Sequence, residues 1–62
     1  MYFYKLLKVD VYPDSIKYKV AYFNSTFYIV KSDNFFIHEE DGYILNPVYD
    51  STTRKLIGFI DA

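Results

Sequence analysis

From Ile16 to Phe23 the chain reads Ile-Lys-Tyr-Lys-Val-Ala-Tyr-Phe, apolar at every even position and lysine at the first two odd ones. Side chains two apart leave the same face of a strand, so this run predicts a β-strand with one buried face. The segment before it alternates as well. Phe3, Leu7, Val9 and Val11 make up its apolar odd face, interrupted by Lys5, while Tyr2, Tyr4, Leu6, Lys8, Asp10 and Tyr12 lie on the other. Both segments are rich in β-branched and aromatic residues, which suit a pleated surface.

Tyr12-Pro13-Asp14-Ser15 joins the two as a turn, because Pro presets φ and Asp or Ser bonds the nearby backbone. Pairing Val11 with Ile16 or with Tyr18 keeps apolar faces together, whereas a one-residue slip splits them. The tighter pairing sets Lys8 opposite Lys19, a like-charge contact that costs stability. The looser one sets Asp10 opposite Lys19 and is therefore the expected register. If the tighter pairing holds, an anion between the two lysines is the natural compensation.

Phe23-Asn24-Ser25-Thr26 predicts a second tight hairpin, with Tyr22 opposite Phe27, Val20 opposite Ile29 and Tyr18 opposite Lys31. Further on, Phe35–His38 and Tyr43–Leu45 flank Glu39-Glu40-Asp41-Gly42, where Gly42 suits a left-handed turn position. Asn46-Pro47 turns the chain again, Val48-Tyr49 is a very short strand, and Lys55–Ile60 is the last strand, with Gly58 marking a bulge or bend. Residues 51–55 leave room for a short helical turn capped by Asp50 or Ser51. Short strands in so small a chain need closure to protect their edges. The expected fold is therefore all-β: one domain over residues 1–62, a small antiparallel meander closing into an SH3-like barrel of five to six short strands. An open meander sheet that dimerises is the alternative.

The core is the difficulty. Eight Tyr and six Phe stand in 62 residues, and each buried ring removes about 150–250 Å² from water. A domain of this size hides only roughly 60% of its unfolded surface, so some rings are expected outside, where a partner or a second copy would meet them. No cysteine is present, so neither a disulfide nor a thiolate metal site supports the fold, and a reducing compartment is the expected setting. No stretch has the pattern of a signal peptide, and no apolar run approaches a membrane span. The expected location is the cytoplasm, with no membrane partner. Asn24-Ser25-Thr26 matches a glycosylation sequon but is expected to be simply a turn.

Net charge is −1, which fits neither a strongly basic nucleic-acid binder nor an acidic DNA mimic. The charge is unevenly placed. Residues 1–32 carry five lysines against two aspartates, and residues 33–62 carry two basic residues against six acidic ones. Phe, Tyr, Met, Ile, Asn and Lys make up nearly half the chain. Their AT-rich codons point to a phage or mobile-element origin.

His38 beside Glu39, Glu40 and Asp41 is the one cluster with ligand chemistry. Neighbouring strand residues diverge, so the expectation is a solvated hairpin tip and no metal or cofactor. With a single His and with Ser confined to turns, no catalytic residues are nominated. The chain is expected not to be an enzyme.

Two binding chemistries remain. Tyr2, Tyr4, Leu6 and Tyr12 share the face opposite Leu7, Val9 and Val11, and exposed tyrosines are what protein interfaces favour. The leading expectation is a non-enzymatic protein–protein interaction module, a phage- or virus-encoded inhibitor that engages a host protein through this tyrosine-rich strand face. The rival is a single-stranded nucleic-acid binder, with Tyr4 and Tyr28 stacking bases while Lys8, Lys17 and Lys19 meet phosphates. A third is self-association, the patch being covered by a homodimer.

Overall fold

In the computed structural model, which describes residues 3–62, the chain is all β. Six antiparallel strands follow in order: β1 (Phe3–Tyr12), β2 (Ser15–Tyr22), β3 (Ser25–Ser32), β4 (Phe35–His38), β5 (Ile44–Tyr49) and β6 (Leu56–Asp61). Each pairs with the next and β6 returns to β1, closing an SH3-like barrel. Among the described residues there is no helix. At 51–53 the chain makes a turn, in which the Asp50 carboxylate accepts from Thr52 N and Thr53 N at 2.8 Å each. Arg54 N donates to Asp50 O at 2.8 Å, and Arg54 then leaves the turn at φ 62°.

The core runs through the inner face of all six strands. Tyr4, Val20, Ile29, Leu45 and Phe59 are buried, and Leu6, Tyr18, Tyr22, Phe27, Phe36 and Leu56 pack around them. Full burial of a side chain such as Phe59 stabilises the fold by about 1.5–3 kcal/mol. The expected inward placement of Tyr18, Tyr22 and Phe27 is observed.

The first strand is turned over relative to expectation. A β-bulge between Leu6 and Lys8 shifts its register against β2. Such an insertion switches the face that each parity occupies. Before the bulge the even residues point in, so Tyr4 and Leu6 pack in the core. Beyond it Val9 aligns with Tyr18 and Val11 with Ile16, at an end of the barrel too open to cover them. Phe3, Leu7, Val9 and Val11, expected to be buried, are all more than two-fifths exposed.

The first hairpin takes the tighter register, Tyr12 to Ser15 and Val11 to Ile16, with Lys8 facing Lys19. The like-charge cost is too small to exclude this register. On an exposed face it is about 0.2–1 kcal/mol, and the Asp10 carboxylate, 3.3 Å from Lys8 Nζ, supplies the compensating anion. The second hairpin is two residues tighter than expected. Its loop is Phe23-Asn24, so Val20 faces Phe27 and Tyr18 faces Ile29. Parity is preserved, and Leu6, Val20 and Phe27 form one inward row. The tighter loop forces Phe23 to φ 54°.

Gly42 adopts φ 80°, as its turn position requires. Gly58 sits beside the β5–β6 register shift and is buried beneath Phe3.

Candidate functional site

The tyrosine patch read from the sequence is dispersed. Tyr4 is 4% exposed and belongs to the core, Leu6 packs beside it, and Tyr12 is exposed at the mouth of the first turn. Tyr2 lies outside the described residues. The bulge at Leu7 is the cause, since it aims Tyr4 and Leu6 inward and separates them from Tyr12.

The alternative set is brought together only in part. Lys8, Lys19 and Tyr28 align in one row across β1, β2 and β3 on the outer face, but Tyr4 is on the opposite side of the sheet. Lys8 is held by Asp10, and Lys17 Nζ lies 3.0 Å from Glu39. That carboxylate, by hydrogen bond and charge, raises the Lys17 pKa above the ordinary lysine value.

A different constellation forms at one end of the barrel. The rings of Tyr4 and Tyr22 stack with centroids 4.5 Å apart and planes 22° apart. The Tyr4 and Tyr43 hydroxyls share a hydrogen bond, and Tyr43 in turn stacks on His38 at 5.0 Å. Tyr4, Tyr22 and Tyr43, with Ile44 and Asp61, line an open pocket of about 450 Å³. Burial, then the hydrogen bond to Tyr43, pushes the Tyr4 pKa well above the ordinary tyrosine value, and the Asp61 carboxylate adds to it. Tyr4 and Tyr22 turn their faces to one another and Tyr43 turns its face to His38, so the pocket is bordered by ring edges and the Tyr43 hydroxyl, next to the Asp61 carboxylate.

Phe23 stands at the rim of this end. Its ring packs edge-on to Tyr22 at 4.6 Å, yet it is 85% exposed, more than any other large apolar side chain among the described residues. Tyr43 and Ile44 are also partly open to solvent. The β4–β5 turn carries Glu40 and Asp41, both exposed, and brings the Asp41 carboxylate to 3.9 Å from His38 Nδ1. The aromatic end is therefore edged with negative charge.

His38 is not at a solvated tip. It is 1% exposed, between Tyr43 and Phe27, and only the acidic residues after it are solvated. Asp41 N donates to His38 Nδ1 at 3.1 Å, which makes that nitrogen an acceptor. The Asp41 carboxylate 3.9 Å away is accordingly no ion-pair partner while the ring is neutral. Among the described residues no three His, Cys, Asp or Glu side chains converge as a metal site, and no helix is long and apolar enough to cross a membrane.

Phe23, Tyr43 and Asp61 were not singled out from sequence. Phe23 carried a legible signal, an aromatic residue beside Asn at a hairpin. Asp61 carried none, because only closure of β6 onto β1 places it beside Tyr4. Comparison with known proteins returned no matching family model, no similar curated protein and no similar solved structure.

Proposed function

We propose that this barrel is a non-catalytic binding module that receives a basic, partly apolar segment of another protein at its aromatic end. The observation that carries this reading is Phe23, an 85% exposed ring held at φ 54°. A non-glycine residue in that region costs about 1–2 kcal/mol. The two-residue hairpin imposes this φ, as the next one does at Asp33. What supports a ligand contact is that so large an apolar ring stands there, exposed against the pocket-lining Tyr22. Phe23, Tyr43 and Ile44 supply the apolar anchor, Asp61 and the phenol hydroxyls accept from an arginine or lysine, and Glu40 and Asp41 steer it. The polar groups of the pocket are tied to one another or serve as acceptors, and His38 is closed off with Nδ1 engaged, an arrangement suited to recognition rather than turnover.

The AT-rich composition extends the reading to a phage- or virus-encoded inhibitor of a host protein. The Lys8–Lys19–Tyr28 row supports single-stranded nucleic acid less well, since it offers one ring and carboxylates already neutralise two of the lysines around it.

Affinity capture from host lysate, with wild type, Phe23→Asn and Asp61→Asn compared by mass spectrometry, tests the proposal. The expected result is a protein retained by wild type, released by added salt and lost by both variants. Capture that is unchanged in the variants, or a gel shift with single-stranded oligonucleotide in its place, rejects it.

A further inference from the structure

The barrel is closed along only part of its last seam. β6 pairs with β1 at Phe3, Tyr4 and Lys5, whereas β1 continues to Tyr12. From Leu6 onward β1 has β2 on one side and, among the described residues, no paired strand on the other. Leu7, Val9 and Val11 along this stretch are 49%, 44% and 74% exposed. An open edge with exposed apolar residues is a template for another strand.

We propose that two copies of the chain pair antiparallel along this edge, about a two-fold axis passing through Val9. The charges choose both the occupant and the register. Like faces must meet across the joint, so only registers with like parity are allowed. Centring the axis on Lys8 sets lysine against lysine, and centring it on Asp10 sets aspartate against aspartate. Centring it on Val9 sets Lys8 of each copy opposite Asp10 of the other, with Val9 against Val9 and Leu7 against Val11. The edge is complementary to itself in charge and in apolar pattern, as a two-fold interface requires. Lys8 faces Lys19 within the chain, and the second copy adds a carboxylate on its other side. This interface is separate from the aromatic end and stands or falls independently of the binding proposed there.

Sedimentation equilibrium up to about 1 mM, the weak end of protein association, tests the inference on wild type, Lys8→Asp, and Lys8→Asp combined with Asp10→Lys. Wild type is expected to dimerise reversibly. Lys8→Asp exchanges the Asp10 ion pair for an opposite charge facing Lys19, so its melting temperature should stay near that of wild type. The same substitution sets aspartate against aspartate in the dimer, at two symmetric places, and should weaken association about tenfold or more. The double variant restores both unlike pairs and should dimerise again. Amide exchange in wild type gives a route without variants, protection along residues 6–12 appearing at high concentration and fading on dilution. A monomer throughout, an unweakened Lys8→Asp dimer, a double variant that stays monomeric, or unchanged protection in β1 overturns the proposal.

Discussion

Phe3 lies so close over Gly58 that a Cβ built on the glycine would come within 2.5 Å of the ring's Cζ. The same Cβ would strike the carbonyl oxygen of Tyr4, a backbone atom in the short β1–β6 ladder. The ring can turn away, but the carbonyl cannot move without opening the seam that closes the barrel. Gly58→Ala should therefore destabilise by about 1–3 kcal/mol, the range for overpacking. Gly42 makes the comparison, because it has open space around its Cα but sits at φ 80°. Gly42→Ala should cost about 1–2 kcal/mol from backbone strain alone. Urea denaturation separates the two, and adding Phe3→Ala should recover part of the Gly58→Ala loss and none of the Gly42→Ala loss.

Alkaline pH should loosen the barrel through its tyrosines. Burial raises the pKa of both Tyr4 and Tyr18 above the ordinary value of 10.0. The folded state thus holds these protons more tightly than the unfolded chain does. Their contribution is whole below pH 10 and is lost as pH rises beyond it. Thermal melting should decline above that point, alongside phenolate absorbance appearing on unfolding. Tyr4→Phe should flatten the decline without abolishing it, since Tyr18 remains. A variant as alkali-sensitive as wild type would contradict the assignment.

Acid acts at the opposite pole of the scale and on the turn at 51–53. Hydrogen bonds from the backbone of Thr53 and Thr52 hold the Asp50 carboxyl below its ordinary value of 3.8. The folded state gives up this proton more readily, so the stabilisation is complete above about pH 4 and falls away as pH drops through the lowered pKa. Asp50→Ala should lower the melting temperature at neutral pH and differ less from wild type at pH 2. An equal gap at both pH values would place the effect elsewhere than in the charged cap.

How far the sequence reveals this molecule is best judged from β1. Strand periodicity, the turns after Tyr12 and Tyr22 and the need for closure led to the barrel, and Gly42 to its left-handed turn, whereas Asn46-Pro47, expected to turn the chain, runs inside β5. Lys5, the exception on an otherwise apolar odd face, was the visible trace of the inversion: it points out because Tyr4 and Leu6 point in. Nothing local marks Leu7 as the bulge, since a bulge is defined by what the partner strand offers. His38 was misplaced for a related reason. A polar residue in a choppy segment resembles a solvated tip until β3 and β5 close around it and Asp41 N satisfies its ring nitrogen. The candidate site was less legible still, because Tyr4, Tyr43 and Asp61 become neighbours only through closure.

Phe23 offers the sharpest separation of stability from function. Asn tolerates the left-handed conformation that Phe resists, so Phe23→Asn relieves strain of about 1 kcal/mol while losing a ring contact with Tyr22 of about 0.5–1.5 kcal/mol. The two nearly cancel, and urea denaturation should place the variant within about 1 kcal/mol of wild type. Partner capture, by contrast, should disappear. A variant that loses 2 kcal/mol or more would make Phe23 a structural residue, its ring serving to cover Tyr22 rather than to meet a partner. A variant of unchanged stability that still captures the partner would remove the aromatic end from the interface.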